Sequence, residues 1–183
     1  MSNLSAKYRY IAKNSIALFI GNFASKLLVF FLLPLYTSVL TTSEYAVADL
    51  INTTIGLLYI VISLSFSDAI LRFAMDKQND KTKILTAGLS VFAVGGIIAV
   101  GIGVGLYFIP AFKTYSEYAF VAVLLYVSSS LEKLFASFVK GLENIKLISI
   151  VGVISTCVVI ASNVIMLVFL RWGVTGYLLS YAL

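Results

Sequence analysis

An all-α, multispanning membrane helix bundle is the fold class this sequence predicts, on three observations. Of its 183 residues, 61% are hydrophobic and only 11% charged, whereas a soluble domain is roughly 45–50% apolar and about 25% charged. The apolar residues gather in runs of about 20 or more, the helix length that crosses a hydrocarbon layer about 30 Å thick. Basic residues fall on alternate connections between those runs, the asymmetry that orients membrane proteins. A mean hydropathy of +1.03 excludes a soluble globular domain. With no His and a single Cys, Cys157, histidine catalysis, a His/Cys zinc site and an intrachain disulfide are excluded as well. No metal or other cofactor is expected. The net charge of +5 reads first as an orientation signal and does not imply nucleic acid.

Five complete spans and the start of a sixth follow in order. The first, Ser15–Leu40, comes after Lys7, Arg9 and Lys13. At about 25 residues it is too long for the 7–15-residue core of a signal peptide, so it is expected to stay in the mature protein. A turn at Thr41–Glu44 leads to the second span, Tyr45–Phe66, with a helical continuation to Met75. The third, Ile84–Ile109, and the fifth, Leu147–Leu170, contain no charge. Pro110 closes the third, because the residue before a proline is pushed out of helical geometry. The fourth is Tyr118–Phe138. After the tight turn Trp172-Gly173, the sixth starts at Val174 and ends with the chain at Leu183, about 15 Å of helix or half a crossing. A helix has no reason to stop in mid-bilayer, so the chain is expected to be part of a longer transporter-like protein. The short turns make helices 1–2 and 5–6 antiparallel neighbours.

Orientation follows from the cations. Lys7, Arg9 and Lys13, then Arg72, Lys77, Lys81 and Lys83, then Lys133, Lys140 and Lys146 make ten on one side; Lys113 and Arg171 make two on the other. The positive-inside rule then places the N-terminus in the cytoplasm and the chain in the cell membrane as a multi-pass protein. Tyr8, Tyr10, Tyr36, Tyr45, Tyr107, Tyr115 and Tyr118 lie near predicted helix ends, as an aromatic belt would.

Within the spans, polar residues mark candidate sites. Lys26 lies 11 residues into the first span, near the midplane, where a lysine costs about 2.5–3.5 kcal/mol and should face a partner or a watery cavity. It either lines a cavity for an anionic substrate or closes an ion pair inside the bundle. Asn22, one turn earlier, shares its face. Glu132 comes to nearly the same depth, which permits a Lys26–Glu132 contact. Asp49, Asn52, Gly56, Tyr59 and Ser63 follow i, i+3, i+7, i+10, i+14 on the second span, a polar stripe that faces protein or water. Asp49 is a candidate for ion coupling if burial raises its pKa. Asp68 and Arg72, at i and i+4, suit a local salt bridge, while the planar fork of Arg72 also suits phosphate. Pro34 should kink the first span and is a candidate hinge. Gly95, Ala99 and Gly103 recur every four residues, a pattern for close helix packing.

The segments NSIALFIGNFASKLLVFFLLPLYTSVL, SEYAVADL, SFSDAILRF and FVKGLENIKLISIVGVISTCVVIASNVIMLVFLRWGVTGYLLSYAL resemble the N-terminal part of the polysaccharide flippases. These are the O-antigen, capsule and teichoic-acid exporters of the multidrug/oligosaccharidyl-lipid/polysaccharide superfamily. The resemblance implies two six-helix bundles facing a central cavity and rocking between inward-open and outward-open states. This chain would be most of the first bundle, and a C-terminal bundle of the same chain its partner. The implied cargo is an oligosaccharide linked to undecaprenyl pyrophosphate, moved between leaflets for cell-surface polysaccharide biosynthesis. Lys26 in ASKLL and Arg72 in AILRF match recurrent basic positions; together with Asn22, Asn52 and Tyr59 of the polar stripes they are the cavity candidates. Around the Glu-Tyr pair, Ser43 and Ala46 stand where the family usually has Pro and Gly.

Three other readings compete. A drug or metabolite antiporter of the same superfamily would need an acidic cavity residue, and Asp49 is the candidate. A membrane-embedded glycosyl- or acyltransferase would need His or paired carboxylates near the surface; Asp76 and Asp80 lack a suitable spacing, so an enzyme is not expected. A non-transporting scaffold of a cell-envelope assembly is the third.

Overall fold

The computed structural model describes residues 30–64, 66–76, 78–109 and 116–183. Its helices are α1 (Phe30–Val39), α2 (Thr42–Ser63), α3 (Phe66–Met75), α4 (Lys81–Phe108), α5 (Ala119–Gly141), α6 (Ile145–Asn163, continued by a wider π-helical turn over Val164–Phe169) and α7 (Gly173–Ala182). No strand occurs among the described residues. Four stretches, α2, α4, α5 and Lys146–Phe169 of α6, are long and apolar enough to cross a membrane. The expected all-α membrane bundle is what the chain forms. The first predicted span is described only from Phe30, and Lys26 and Asn22 lie outside the described residues.

The α1–α2 corner is tighter than expected. Thr41 is the N-cap of α2, its hydroxyl accepting from the Glu44 backbone N–H, while the Glu44 carboxylate accepts from the Thr41 N–H at 2.8 Å. This reciprocal capping box satisfies two of the donors that a helix start leaves free. Residues 42–44, read as turn, are therefore the first turn of α2. α1 runs through Pro34 without ending.

The expected continuation to Met75 is helical but separate. Leu64 takes a left-handed conformation (φ 46°) that ends α2, and α3 starts afresh at Phe66. Ile70 and Ala74 are buried while Asp68 and Arg72 are exposed. Asp68 and Arg72 do not close the expected salt bridge. The end of α3 is capped instead from downstream: Lys81 Nζ donates to the carbonyls of Ala74 (2.8 Å) and Asp76 (2.5 Å), and Asn79 to that of Phe73 (3.2 Å). Cations and donors at a helix C-terminus satisfy carbonyls that have no intrahelical partner. α4 then begins three residues earlier than predicted because Asp80 caps it, accepting from the Thr82 N–H at 2.9 Å.

α5 is the centre of the bundle, with α2, α3, α4 and α7 packed on it. α4 meets it through Gly88, Gly95, Ala99 and Gly103, the buried small residues of its packing face. Gly141 lies against the Ala74 methyl and has the Leu71 carbonyl at 2.9 Å from where a Cβ would stand, so α3 and α5 touch backbone to backbone. Leu125, Leu167 and Leu178 are fully buried at the middle. The outer faces are apolar and exposed, as with Ile97 at 73% and Phe120 at 74%, which suits lipid as the surrounding solvent.

Tyr36 departs from the expected belt. It is 2% exposed, its ring stacks near Tyr45 (6.0 Å) and meets Tyr177 edge-on (4.9 Å), and its hydroxyl is 3.2 Å from that of Tyr181. These tyrosines join α1, α2 and α7 from the inside rather than anchor them to an interface.

Candidate functional site

The polar interior of the bundle is assembled by three helices at the break between α2 and α3. α2 places Tyr59 and Ser63 one turn apart. α3 brings Ser67 across the break, where its hydroxyl bonds to that of Tyr59. α5 presents Tyr126, Ser130 and Lys133 at i, i+4 and i+7, the spacing of one helical face. The Lys133 ammonium sits 3.9 Å from the centre of the Tyr59 ring. A cation over a ring face is attracted by the ring quadrupole, and this ring is the close contact of the Lys133 ammonium. Counted along α5, Lys133 lies about 12 Å from the helix end at Gly141.

A cavity of about 30 Å³ lies among Tyr59, Ser63, Ser67, Tyr126 and Ser130. Ser63 Oγ and Ser130 Oγ are buried there without a hydrogen-bond partner. Space of that size holds about one water, and a buried hydroxyl left unpaired carries a cost that such a water removes.

The sequence-derived candidates divide. Tyr59 is buried at the centre of this cluster. Asn52 is half-buried about two turns away, and Gly56 has open space where a side chain would project. Asp49 is exposed, as are Arg72 on α3, Glu132 on α5 and Pro34 on α1. The proposed Lys26–Glu132 contact lies outside the described residues on its lysine side. The structure thus brings together the C-terminal end of the predicted α2 stripe, Tyr59 and Ser63, and leaves its N-terminal end facing away.

Lys133 is the residue that sequence reasoning misplaced. The charge count takes it with the cytoplasmic cations although it falls within the fourth span, and the structure sets it inside α5, half-buried. The signal was available: Tyr126, Ser130 and Lys133 share one face of a span whose neighbour carries Tyr59. Among the described residues, no group of three His, Cys, Asp or Glu side chains could hold a metal ion.

Fold and site together define a polytopic membrane protein that keeps hydroxyls and a cation within an apolar bundle. The sequence matches the polysaccharide biosynthesis protein family over residues 11–183, and the chain belongs to that family. Neither a curated protein nor a solved structure matches it.

Proposed function

We propose that the chain is the N-terminal bundle of an exporter that flips a polyprenyl-pyrophosphate-linked oligosaccharide across the cytoplasmic membrane by alternating access, with the N-terminus in the cytoplasm. The observation that carries the reading is Lys133, an ammonium within a membrane-crossing helix that rests on the face of Tyr59. Charged side chains inside membrane bundles are costly and mark substrate or ion pathways. A pyrophosphate headgroup cannot shed its water into hydrocarbon, so a hydrated, cationic path between two bundles would carry it while the lipid tail stays in the bilayer. Lys26 at the midplane and Arg72 at the α3 end would extend the cationic path, with Asn22, Asn52 and Tyr59 as polar lining. Asp49 and Glu132 would serve ion coupling or pairing, and Pro34 would flex α1.

The test is complementation with the full-length protein. Lys26→Ala and Lys133→Met should abolish surface polysaccharide while the protein reaches the membrane at normal levels, and Lys133→Arg should restore part of it. Normal polysaccharide in both neutral variants would reject the cationic path. Loss of drug resistance without loss of polysaccharide would favour the antiporter reading instead.

A further inference from the structure

A second, larger cavity lies on the other side of Tyr126, and its chemistry is the opposite of the first. It has a volume of about 300 Å³ and is walled by α2 (Leu50 to Leu58), α4 (Ala99 to Leu106) and α5 (Tyr118 to Tyr126). The walls are almost entirely hydrocarbon. Thr54, one of the few polar lining residues, turns its hydroxyl into its own helix, donating to the Leu50 carbonyl at 2.7 Å. Water is stable in a cavity only where two or more polar groups hold it, and apolar cavities half this size stay dry and accept apolar guests.

The shape sets the guest. α2 and α4 both pack on α5 but touch each other sparingly, so a cleft opens sideways between them with α5 as its floor. Leu50 (53% exposed) and Ile102 (40%) stand at its rim. Ala122 on the floor and Ala99 on the α4 wall are small and leave it room. From Tyr118 to Tyr126 the cleft is about 12 Å long at 1.5 Å per residue, close to the half-thickness of a hydrocarbon layer of about 30 Å. It then ends blindly: at Gly95 the Tyr126 hydroxyl and Ile62 stand 2.9 and 3.2 Å from the position of a Cβ, so α2, α4 and α5 meet with no passage between them. Its wide end lies at the ends of α4 and α5, within the leaflet on that side.

We propose that this cleft binds one acyl chain of a phospholipid from the adjoining leaflet. The chain enters between α2 and α4, and its methyl end stops at Tyr126. A polyprenyl tail, which is far longer than one leaflet, has no exit at the blind end. The proposal rests on the membrane setting of the helices and not on the flipping reaction, so the two stand or fall separately.

The experiment places the full chain in nanodiscs of phosphatidylethanolamine and phosphatidylglycerol that carry a photoreactive diazirine on one acyl chain, with adducts mapped by mass spectrometry. Labelling should be several-fold higher along Leu50–Leu58 and Ala99–Leu106 than at the exposed positions Val61 and Ile154. A diazirine at the chain tip should mark the Leu58 and Tyr126 end, and one near the glycerol should mark the Leu106 and Tyr118 end. Ala122→Phe, which fills the floor, should reduce cleft labelling to the level of the exposed positions without changing theirs. The depth pattern in the unaltered protein decides the matter even if that variant does not fold. Labelling no higher in the cleft than at exposed positions, absence of the depth order, or displacement by added long-chain polyprenyl phosphate would each overturn the proposal. Crosslinking of the cleft to protein rather than lipid would do so too.

Discussion

Replacing Lys133 by Met separates a structural cation from a functional one, because the two roles predict opposite signs. Met keeps an unbranched apolar stem and removes the ammonium. The contact with Tyr59 at 3.9 Å contributes about 0.5–2 kcal/mol, the larger value applying when the pair is desolvated. Against it stands the cost of a lysine in a membrane helix, about 2.5–3.5 kcal/mol at the centre and less toward the ends. Lys133 lies about 12 Å from the end of α5, and its stem reaches toward Tyr59, one turn from the end of α2, so it bears only part of that cost. The difference leaves Lys133→Met as stable as the parent or more stable, by at most about 2 kcal/mol. Surface polysaccharide should nevertheless be lost. Unfolding in mixed micelles can be followed by the fluorescence of Trp172, the chain's one tryptophan, alongside polysaccharide output in cells. A variant that is less stable by more than about 1 kcal/mol would show that the cation–ring contact outweighs the burial cost, and the reasoning would fail.

Three further outcomes follow from the geometry. Gly141→Ala should destabilise the protein by about 1–3 kcal/mol in the same unfolding assay, because overpacking would drive α3 off α5. Gly173→Ala should cost about 1–2 kcal/mol from backbone conformation alone, since φ is +55° and the nearest atom to a new Cβ, Glu44 Oε1, is at an ordinary 3.5 Å. In a Cys157→Ala background, single cysteines in place of Lys83 and Lys113 should react with impermeant maleimide from the cytoplasmic and external faces respectively; the reverse pattern would invert the proposed orientation.

The bundle was legible in the sequence because a membrane helix leaves a one-dimensional trace, a long apolar run. The charge-free runs Ile84–Ile109 and Leu147–Leu170 give α4 and α6 directly except for their lysine-bearing first turns. The starts of α2 and α4 are also written in the chain, as Thr41 with Glu44 three residues on and as Asp80 before Thr82, capping signals that hydropathy alone does not register. The break at Leu64 carried no Gly or Pro to announce it, and the π-helical turn at Val164–Phe169 lies inside a featureless apolar stretch. Both are set by how neighbouring helices pack, which no local pattern records. Lys133 is hidden by the orientation count, which sums cations by side whether they lie in a span or in a connection. Returning it to α5 leaves nine cations against two, so the orientation argument keeps its sign while the site gains its central residue.

The same geometry explains why the polar stripe of α2 divides. At 100° per residue, Tyr59 lies 11 residues from the fully buried Ala48 and returns to within about 20° of its direction, while Asp49, the next residue, points about 100° away. Burial of Ala48 therefore carries Tyr59 inward and turns Asp49 out, as observed. On α5 the adjacent pair Glu132 and Lys133 is divided in the same way, with Lys133 drawn toward Tyr59 and Glu132 left exposed. Glu132 stands about 13 Å from the end of α5, too deep for a carboxylate to rest against lipid tails at little cost. The face of α5 that carries it calls for a polar neighbour or water.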